Sequence, residues 1–285
     1  MIRVVCISVL CVWMTGCIAI ERATLPDAVS LGSQWEQSSA TQQLVVDHDP
    51  WDTFLARYLS TDAEGINRLD YDSVTEEDED LLTDYLDALQ QINTQSLTRD
   101  QQLAYWINLY NAKTVDLILE EYPVDSILEV SDGIIDSGPW TRKVVSVDNS
   151  RLSLHDIEHR IVRPVYEDER IHYALNCAAR SCPNLAPQAW RADGLDQALQ
   201  EAERAYVNDP RGVTITSGGG IILSKIYVWF KEDFGNSEAE VLESLAEVAE
   251  PELQEKLQGR TSVRDYVYDW TLNDTEFADD ELASN

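Results

Sequence analysis

The sequence predicts an α+β fold, a single mostly helical domain with a small, mainly antiparallel sheet. Apolar residues recur at helical spacing in several long stretches, whereas the segments with strand character are short and fewer in number. Residues 46–272 contain no Pro- or Gly-rich break and no repeat of fixed period, so they are expected to form one domain with a substantial core.

The predicted helices are marked by apolar spacing and by signals at their ends. The first opens at residues 49–50, and the second holds the apolar residues of 81–89. The longest begins after Thr98, which is followed three residues later by Gln in the form of a capping box, and it ends before the Tyr-Pro pair at 122–123. Its apolar residues surround the helix axis, which indicates a buried helix.

Two further helices are expected later in the chain. One covers residues 154–163, where Ser153 is the predicted cap and Pro164 the predicted stop, and the other covers residues 195–206.

The predicted strands are short, and they comprise residues 142–147, 171–175, 213–216 and 221–223. The last two are joined by the glycines at 218–220, as in a hairpin. Side chains alternate along a strand, so a regular strand through 171–177 would place His172 and Cys177 on opposite faces. A working pair of these residues would require the chain to leave the sheet near Asn176, or another base such as His159 to approach.

The N-terminus has the features of a bacterial lipoprotein signal. Arg3 gives it a positive charge, and the apolar run that follows at 4–14 is 11 residues long, too short to span a bilayer. Residues 14–17, Met-Thr-Gly-Cys, resemble a lipobox, so 1–16 are expected to be removed and Cys17 to be acylated. An ordinary signal peptide is the alternative.

The predicted location is the cell envelope, with the membrane as a partner through the acyl chains. Ile18, rather than Asp, follows the cysteine, which favours the outer membrane. Residues 17–45 lack sustained periodicity and are predicted to be a tether, and residues 273–285 are predicted to be a frayed acidic tail.

The charge of the chain excludes one class of partner. There are 52 acidic and 21 basic residues, and the formal net charge is −31. Phosphate binding needs a basic surface, so no nucleic acid is expected. The acidic run at 76–80 lacks the spacing and the glycine of an EF-hand loop, so no calcium site is predicted there. No metal site and no cofactor are assigned elsewhere in the chain.

Two polar groups on predicted helices are candidates for a site. Asn108 and Asn111 are three residues apart on one face of the longest helix, where buried amides brace a loop or contact a ligand. His155, Glu158 and His159 match the H-x-x-E-H pattern of one class of zinc peptidases, against the simpler interpretation of a polar helix face.

Cys177 and Cys182 are the thiols that remain once the signal peptide is removed and Cys17 is acylated. A matched pair in an oxidising compartment suggests a structural or redox-active disulfide. The alternatives are a reactive Cys177, which needs a neighbouring base, and two unpaired buried thiols.

Six ordered blocks carry a resemblance to the family of secreted bacterial proteins known as domain of unknown function 547. They read GINRLDY at 65–71, AYWINLYN at 104–111, YPVDSI at 122–127, SL with IEH at 153–159, HYALNCAARSCP at 172–183, and LSKIYVWF with DF at 223–234. The resemblance implies signature positions that share a site or a common brace: Asn108, Asn111, Glu158, His172, Asn176, Cys177 and Cys182. The family pattern carries no fixed His at position 155, which weakens the zinc-peptidase interpretation.

Two functions follow as hypotheses. The favoured one is a lipid-tethered binding module for an envelope protein or glycan, in which Asn108, Asn111, Glu158 and Asn176 contribute to the site. The alternative is a cysteine-dependent hydrolase or acyl transferase with Cys177 as nucleophile, His172 or His159 as base, and an Asn that orients the base.

Overall fold

The computed structural model describes residues 27–41, 44–130 and 140–278. The predicted signal peptide 1–16, Cys17, the first part of the predicted tether and the end of the predicted tail lie outside these residues. None of the helices in the described ranges combines the length and the apolar character that crossing a lipid bilayer requires.

The fold is α+β and mostly helical, as the sequence predicts. The helices are α1 (Asp49–Tyr58), α2 (Glu76–Gln90), α3 (Arg99–Glu121), α4 (Arg163–Tyr166), α5 (Leu195–Val207), α6 (Ile226–Trp229), α7 (Lys231–Phe234), α8 (Glu238–Val248) and α9 (Pro251–Leu257). The strands are β1 (Leu59–Thr61), β2 (Asn67–Leu69), β3 (Val145–Val147), β4 (Ser150–Leu152), β5 (Val213–Ile215), β6 (Ile221–Ser224) and β7 (Asp265–Val267).

Helix α3 is the centre of the larger core. Its predicted capping box is present, because the Thr98 side chain accepts from the backbone N–H of Gln101 and the Gln101 side chain accepts from the N–H of Thr98. Most of its side chains are buried on every face, including the amides of Asn108 and Asn111. The helix ends at Glu121, where the following Tyr122 is extended, as expected before a proline.

The acidic run at 76–80 forms the first turn of α2. Carboxylates are favourable at this end of a helix because they face unpaired N–H groups and the positive end of the helix dipole. Asp78 is buried, and it accepts a hydrogen bond of 2.5 Å from the Tyr58 hydroxyl and pairs with Arg57. This part of the negative charge therefore stabilises a helix end.

The helix predicted at 154–163 takes a different form. Ser153 caps it as expected, but residues Asp156–Val162 form a π-helical turn, and the chain continues through Pro164 into α4. Proline cannot donate to the carbonyl four residues earlier, which belongs to Arg160. That carbonyl accepts instead from the N–H of Leu31, so the predicted stop at Pro164 is wrong.

The strand predicted at 171–175 is also wrong. Residues Glu169–Tyr173 form a 3₁₀ turn, capped by the Asp168 side chain, which accepts from the N–H of Arg170. The alternating pattern misleads because all of residues 171–175 are buried, on every side of the turn. The chain is therefore never a strand between His172 and Cys177, and the alternation argument does not apply.

The sheets in the described ranges are small. β1 pairs with β2, β3 with β4 and β5 with β6, all antiparallel, and β7 adds to β6 in parallel. The predicted β5–β6 hairpin is present, and Gly219 has a φ of +76° at its turn. The strand predicted from residue 142 begins only at Val145, and sequence patterns did not find β1, β2, β4 and β7, which are three residues each.

Two hydrophobic clusters make up the core. The larger surrounds α3, and the smaller joins the β5–β6–β7 sheet to α5, α6, α7, α8 and α9. Trp35, in the predicted tether, is 3% exposed and packs in the larger cluster against Trp106. Asn273 and Asp274, at the start of the predicted tail, are buried as well.

Glu203 on α5 generates a prediction about pH. It is buried, and burial together with the nearby Glu169 raises its pKa to about 7, from an ordinary value of 4.5. Because the folded state then holds a proton that the unfolded state releases, the contribution of Glu203 to stability is greatest below pH 4.5 and falls as the pH rises towards 7. Glu203→Gln is expected to be more stable than the parent protein by about 2 kcal/mol at neutral pH, and by little at pH 4.

The measurement is urea unfolding of both proteins across this pH range. Glu201→Gln, which changes an exposed residue of the same helix, is the matched control and leaves the pH dependence unchanged. A stability difference for Glu203→Gln that does not vary with pH would contradict the assignment.

Candidate functional site

Asn111 fixes the turn that leads to the two cysteines. From α3, its side-chain nitrogen donates to the carbonyl of Ala174 at 2.9 Å, and its oxygen accepts from the N–H of Asn176 at 2.8 Å. Asn111 is 2% exposed, so both backbone groups are satisfied without water. The amide thus holds the chain direction just before Cys177.

Asn176 closes the loop that contains the cysteines. Its side chain donates to the carbonyl of Pro183 at 2.8 Å and accepts from the N–H of Ala178 at 2.9 Å. Ala178 has a φ of +60°, a backbone conformation that residues other than glycine rarely adopt, and the hydrogen bond to Asn176 stabilises it. We call residues 176–183 the cysteine loop.

The cysteine loop is also held from its other side. The N–H of Arg180 donates to the carbonyl of Thr271 at 2.7 Å, and the Asp269 N–H donates to the Ser181 hydroxyl at 2.7 Å. Arg211 donates to the carbonyls of Arg180 and Cys182. The loop is therefore clamped between α3 and the chain that follows β7.

Cys177 and Cys182 are paired at disulfide distance, with their α-carbons 6.3 Å apart. The Tyr268 hydroxyl lies 3.1 Å from each sulfur, and the N–H of Cys177 points at the sulfur of Cys182 from 3.0 Å. The hydrogen-bonding partner of the Cys177 sulfur is thus a tyrosine. In the described ranges, no histidine or carboxylate lies within hydrogen-bonding distance of this sulfur.

His172 is fixed by a carboxylate that the sequence analysis did not single out. Its Nε2 lies 2.7 Å from Asp233 Oδ2, and Arg163 donates to both oxygens of Asp233 at 2.6 and 3.0 Å. Burial acts to raise the pKa of Asp233, but the bonds from His172 and Arg163 outweigh it and hold the pKa well below its ordinary value. The ring of His172 stacks on Phe230 with centroids 4.4 Å apart.

Glu158 and His159 project from the π-helical turn. The Tyr110 hydroxyl of α3 donates to Glu158 at 2.9 Å. Burial acts to raise the pKa of Glu158, but the rings of His159 and His172 and the Tyr110 hydroxyl more than offset it, so the pKa lies below its ordinary value. Burial lowers the pKa of His159 to about 4, so this ring is neutral at pH 7. Burial also lowers the pKa of His155.

Asn108 serves a different part of the fold. It accepts from the N–H of Trp190 at 2.9 Å and donates to the carbonyl of the same residue at 2.8 Å. Its amide also lies within 3.4 Å of the buried His48 ring. It does not line the pocket described next, so the two asparagines of α3 brace two separate segments.

A pocket of about 430 Å³ lies where the two hydrophobic clusters meet. Its polar and sulfur-bearing lining consists of Tyr110, Thr141, His155, Glu158, His159, His172, Cys177, Cys182 and Tyr268. Its aromatic lining includes Trp140, Trp229, Phe230 and Trp270. Most of the candidate residues predicted from the sequence therefore meet in one pocket, with Asn111 and Asn176 directly behind it.

The site also contains residues that sequence reasoning missed. Tyr268 and Trp270 follow β7, which was not predicted, and Trp229 and Asp233 lie in the last block of the resemblance, where no role was assigned to them. A Trp or Asp in a helical pattern carries no signal of its own, since either is more often a packing or surface residue. Only the return of the chain beside the cysteine loop shows that they belong to the site.

Metal ligation is not supported by the arrangement of side chains. In the parts of the chain that the structure describes, no three His, Cys, Asp or Glu side chains are placed so that they could hold a metal ion. His155 and His159 contact each other edge to face, with ring centroids 5.0 Å apart. The residues of the H-x-x-E-H pattern thus pack and line the pocket.

Comparison with protein families identifies the segment that carries most of these residues. Residues 94–207 match the family model described as Protein of unknown function, DUF547. Across this segment the chain is similar to the DUF547 family. No curated protein and no solved structure matches the chain. The DUF547 segment supplies the cysteine loop, the histidines and Glu158, whereas Asp233, Tyr268 and the tryptophans at 229 and 270 come from the chain after it.

The brace by Asn111 generates a prediction about stability. Asn111→Leu leaves the N–H of Asn176 and the carbonyl of Ala174 buried without partners, each at a cost of about 1–3 kcal/mol. The variant is therefore expected to lose about 2–6 kcal/mol in urea unfolding, and the amides of the cysteine loop are expected to exchange hydrogen faster.

Asn108→Leu is the matched control, because it removes two equivalent bonds to the backbone of Trp190 instead. It should lower stability by a similar amount but leave exchange in the cysteine loop unchanged. Equal acceleration of exchange in the loop by both variants would contradict a local brace by Asn111.

Proposed function

We propose that the protein is an envelope binding module and that its pocket binds a neutral or amino-sugar glycan. The observation that carries the proposal is the aromatic wall, which we define as Trp140, Trp229, Tyr268 and Trp270. Neighbouring ring centroids of the wall lie 4.7 to 5.7 Å apart, and all four side chains are half-buried. Such faces fit the apolar C–H faces of sugar rings.

The polar side of the pocket fits the hydroxyl edge of the same ligand. Glu158, with its lowered pKa, is an acceptor at neutral pH. His159 is neutral at pH 7 because its pKa is about 4. Arg163 donates to its Nδ1 from 3.4 Å, so Nε2 carries the hydrogen and is the donor that the ring offers to a ligand. A sugar hydroxyl likewise donates and accepts, so the two sides of the pocket match the two kinds of surface on a sugar.

Charge and size narrow the ligand class. A net charge of −31 disfavours phosphorylated or sulfated glycans and favours neutral or cationic ones. The pocket volume of about 430 Å³ lies in the range of small-ligand sites. A protein partner would need a face that buries about 800 Å² on each side.

The location belongs to the same proposal. The signal at 1–16 and acylation of Cys17 would hold the domain at the outer membrane, where each buried CH₂ contributes about 0.8 kcal/mol and several acyl chains hold a protein firmly. Envelope glycans are abundant there, which supports the choice of ligand. The proposed location is tested by determining whether the mature protein begins at Cys17 and whether a labelled lipid precursor is incorporated into it.

A second candidate is a hydrolase or acyl transferase with Cys177 as nucleophile. The observation that favours it is the presence of Cys177, His159 and His172 on one pocket, with His172 oriented by Asp233. The pairing of Cys177 with Cys182 weighs against it, because a sulfur in a disulfide is not a nucleophile.

The aromatic wall predicts how a variant will bind. Trp229→Ala is expected to weaken the binding of oligosaccharides at least about tenfold, which corresponds to a loss of about 1.4 kcal/mol. Trp229→Phe keeps a ring face and is the matched control, with a loss of less than about threefold. The measurement is calorimetric titration with a panel of neutral and amino-sugar oligosaccharides that includes soluble peptidoglycan fragments. No binding across the panel, or equal binding by both variants, would contradict the proposal.

Alkylation distinguishes the two candidate functions. In the folded protein, prepared without reductant, iodoacetamide is expected to label neither Cys177 nor Cys182, because both sulfurs are in the disulfide. Mass spectrometry of tryptic peptides measures the labelling, and a reduced, denatured sample in which both cysteines are labelled is the control. Selective labelling of Cys177 in the folded protein would instead favour the enzyme.

A further inference from the structure

The two sulfurs of the disulfide differ in their access to the pocket. Both cysteines line the pocket, but Cys177 is half-buried whereas Cys182 is only 3% exposed. A thiol that enters the pocket therefore reaches the sulfur of Cys177 more easily than that of Cys182. This asymmetry is unnecessary in a disulfide whose role is only to hold a loop.

The buried sulfur has the hydrogen-bond donors that a leaving thiolate needs. The N–H of Cys177 points at Cys182 Sγ from 3.0 Å, and the Tyr268 hydroxyl lies 3.1 Å away. Burial raises the pKa of Tyr268 well above its ordinary value, so the hydroxyl keeps its proton and remains a donor. Donors aimed at a sulfur stabilise its thiolate and so favour its departure.

The fold does not need the disulfide to keep the cysteine loop in place. Asn111 holds the turn before the loop, Asn176 closes it, and Arg211 donates to two of its carbonyls. The bridge joins residues that are only five positions apart, so it closes a short loop and constrains the unfolded chain little. The bond can open while the surrounding loop stays in position.

We propose that the Cys177–Cys182 pair is a thiol–disulfide exchange site for small or peptide-borne thiols. Cys177 is the sulfur that bonds to the incoming thiol, and Cys182 is the leaving and resolving sulfur. The inference does not depend on glycan binding, because it rests on the sulfurs, the N–H of Cys177 and the Tyr268 hydroxyl. Glycan binding rests instead on the ring faces of the aromatic wall, to which Tyr268 contributes its ring.

The exchange balances in two steps. A substrate thiolate attacks Cys177 Sγ, the S–S bond breaks, and its electron pair leaves on Cys182 as a thiolate, so Cys177 carries a mixed disulfide. A second substrate thiolate attacks the substrate sulfur of that mixed disulfide and releases the oxidised substrate disulfide and the Cys177 thiolate. The two substrate protons pass to the two cysteines, and a substrate disulfide of another partner restores the bridge by the reverse steps.

The first experiment traps the mixed disulfide with a neutral probe. Cys182→Ser leaves Cys177 without a resolving partner, and Cys177→Ser leaves the buried Cys182. With hydroxyethyl disulfide at neutral pH, mass spectrometry is expected to show a mixed disulfide at Cys177 at least tenfold faster than at Cys182. Equal rates in the two variants, or modification only in denaturant, would overturn the proposal.

The second experiment uses the intact disulfide and does not depend on how the serine variants fold. Dithiothreitol is expected to reduce the bridge in the folded protein, with the far-UV circular dichroism unchanged. Tyr268→Phe removes the hydroxyl that lies beside both sulfurs, and it is expected to slow reduction of the disulfide several-fold. In the reduced protein, it is also expected to raise the apparent pKa of the cysteine thiols, measured as the pH dependence of their alkylation rate. Tyr266→Phe, which removes a hydroxyl of the neighbouring β7, is the matched control.

The outcomes separate this inference from the proposed function. A bridge that is reduced only after unfolding, or a Tyr268→Phe variant with the reduction rate and pH profile of the parent, would overturn the exchange site while glycan binding stands. Loss of glycan binding alone would leave the exchange site in place.

Discussion

The fold and the site both depend on the pair of hydrogen bonds from Asn111 to the backbone at Ala174 and Asn176. A buried helix with an amide on one face must satisfy that amide, and here it does so by capturing a turn of distant sequence. This contact determines the direction of the chain before Cys177, and the Asn176 side chain then closes the loop around the disulfide. The pocket, the position of the sulfurs and the approach of Tyr268 all follow from where Asn111 places the turn.

A second polar junction connects the two hydrophobic clusters. Asp233, from the smaller cluster, binds both His172 and Arg163, and Phe230 stacks on His172 and lies beneath the Arg163 guanidinium. Charges of opposite sign are brought together at a buried seam, which explains why the pKa of Asp233 is depressed in spite of burial. The pocket lies at this seam, so its walls come from two cores that the chain builds separately. The proposed ligand binding and thiol exchange would therefore use residues of both clusters.

Much of the fold could be predicted from local patterns, and much of the site could not. Helix α3, its capping box and the β5–β6 hairpin depend on residues that are close in sequence. Apolar periodicity indicated the helix, Thr98 indicated its capping box, and the glycines at 218–220 indicated the hairpin. The segment 171–175 misled because its apolar pattern reflects burial on every side rather than a sheet face. Pro164 misled because the carbonyl it leaves without a donor finds Leu31, a partner that local rules cannot see. The disulfide was among the alternatives, since two thiols remained to pair.

The sequence by itself determined the helical α+β class, the acidic charge and the residues that carry chemistry, because these depend on composition and on spacing within one segment. Tertiary structure alone decided which of those residues meet. It placed Asn108 against Trp190 and Asn111 against the cysteine loop, although the two amides lie one helical turn apart. It also brought Tyr268 and Trp270 to the pocket, and Asp233 to His172, from the last part of the chain. Contacts between distant segments depend on how whole cores pack, and no short pattern of residues records that packing.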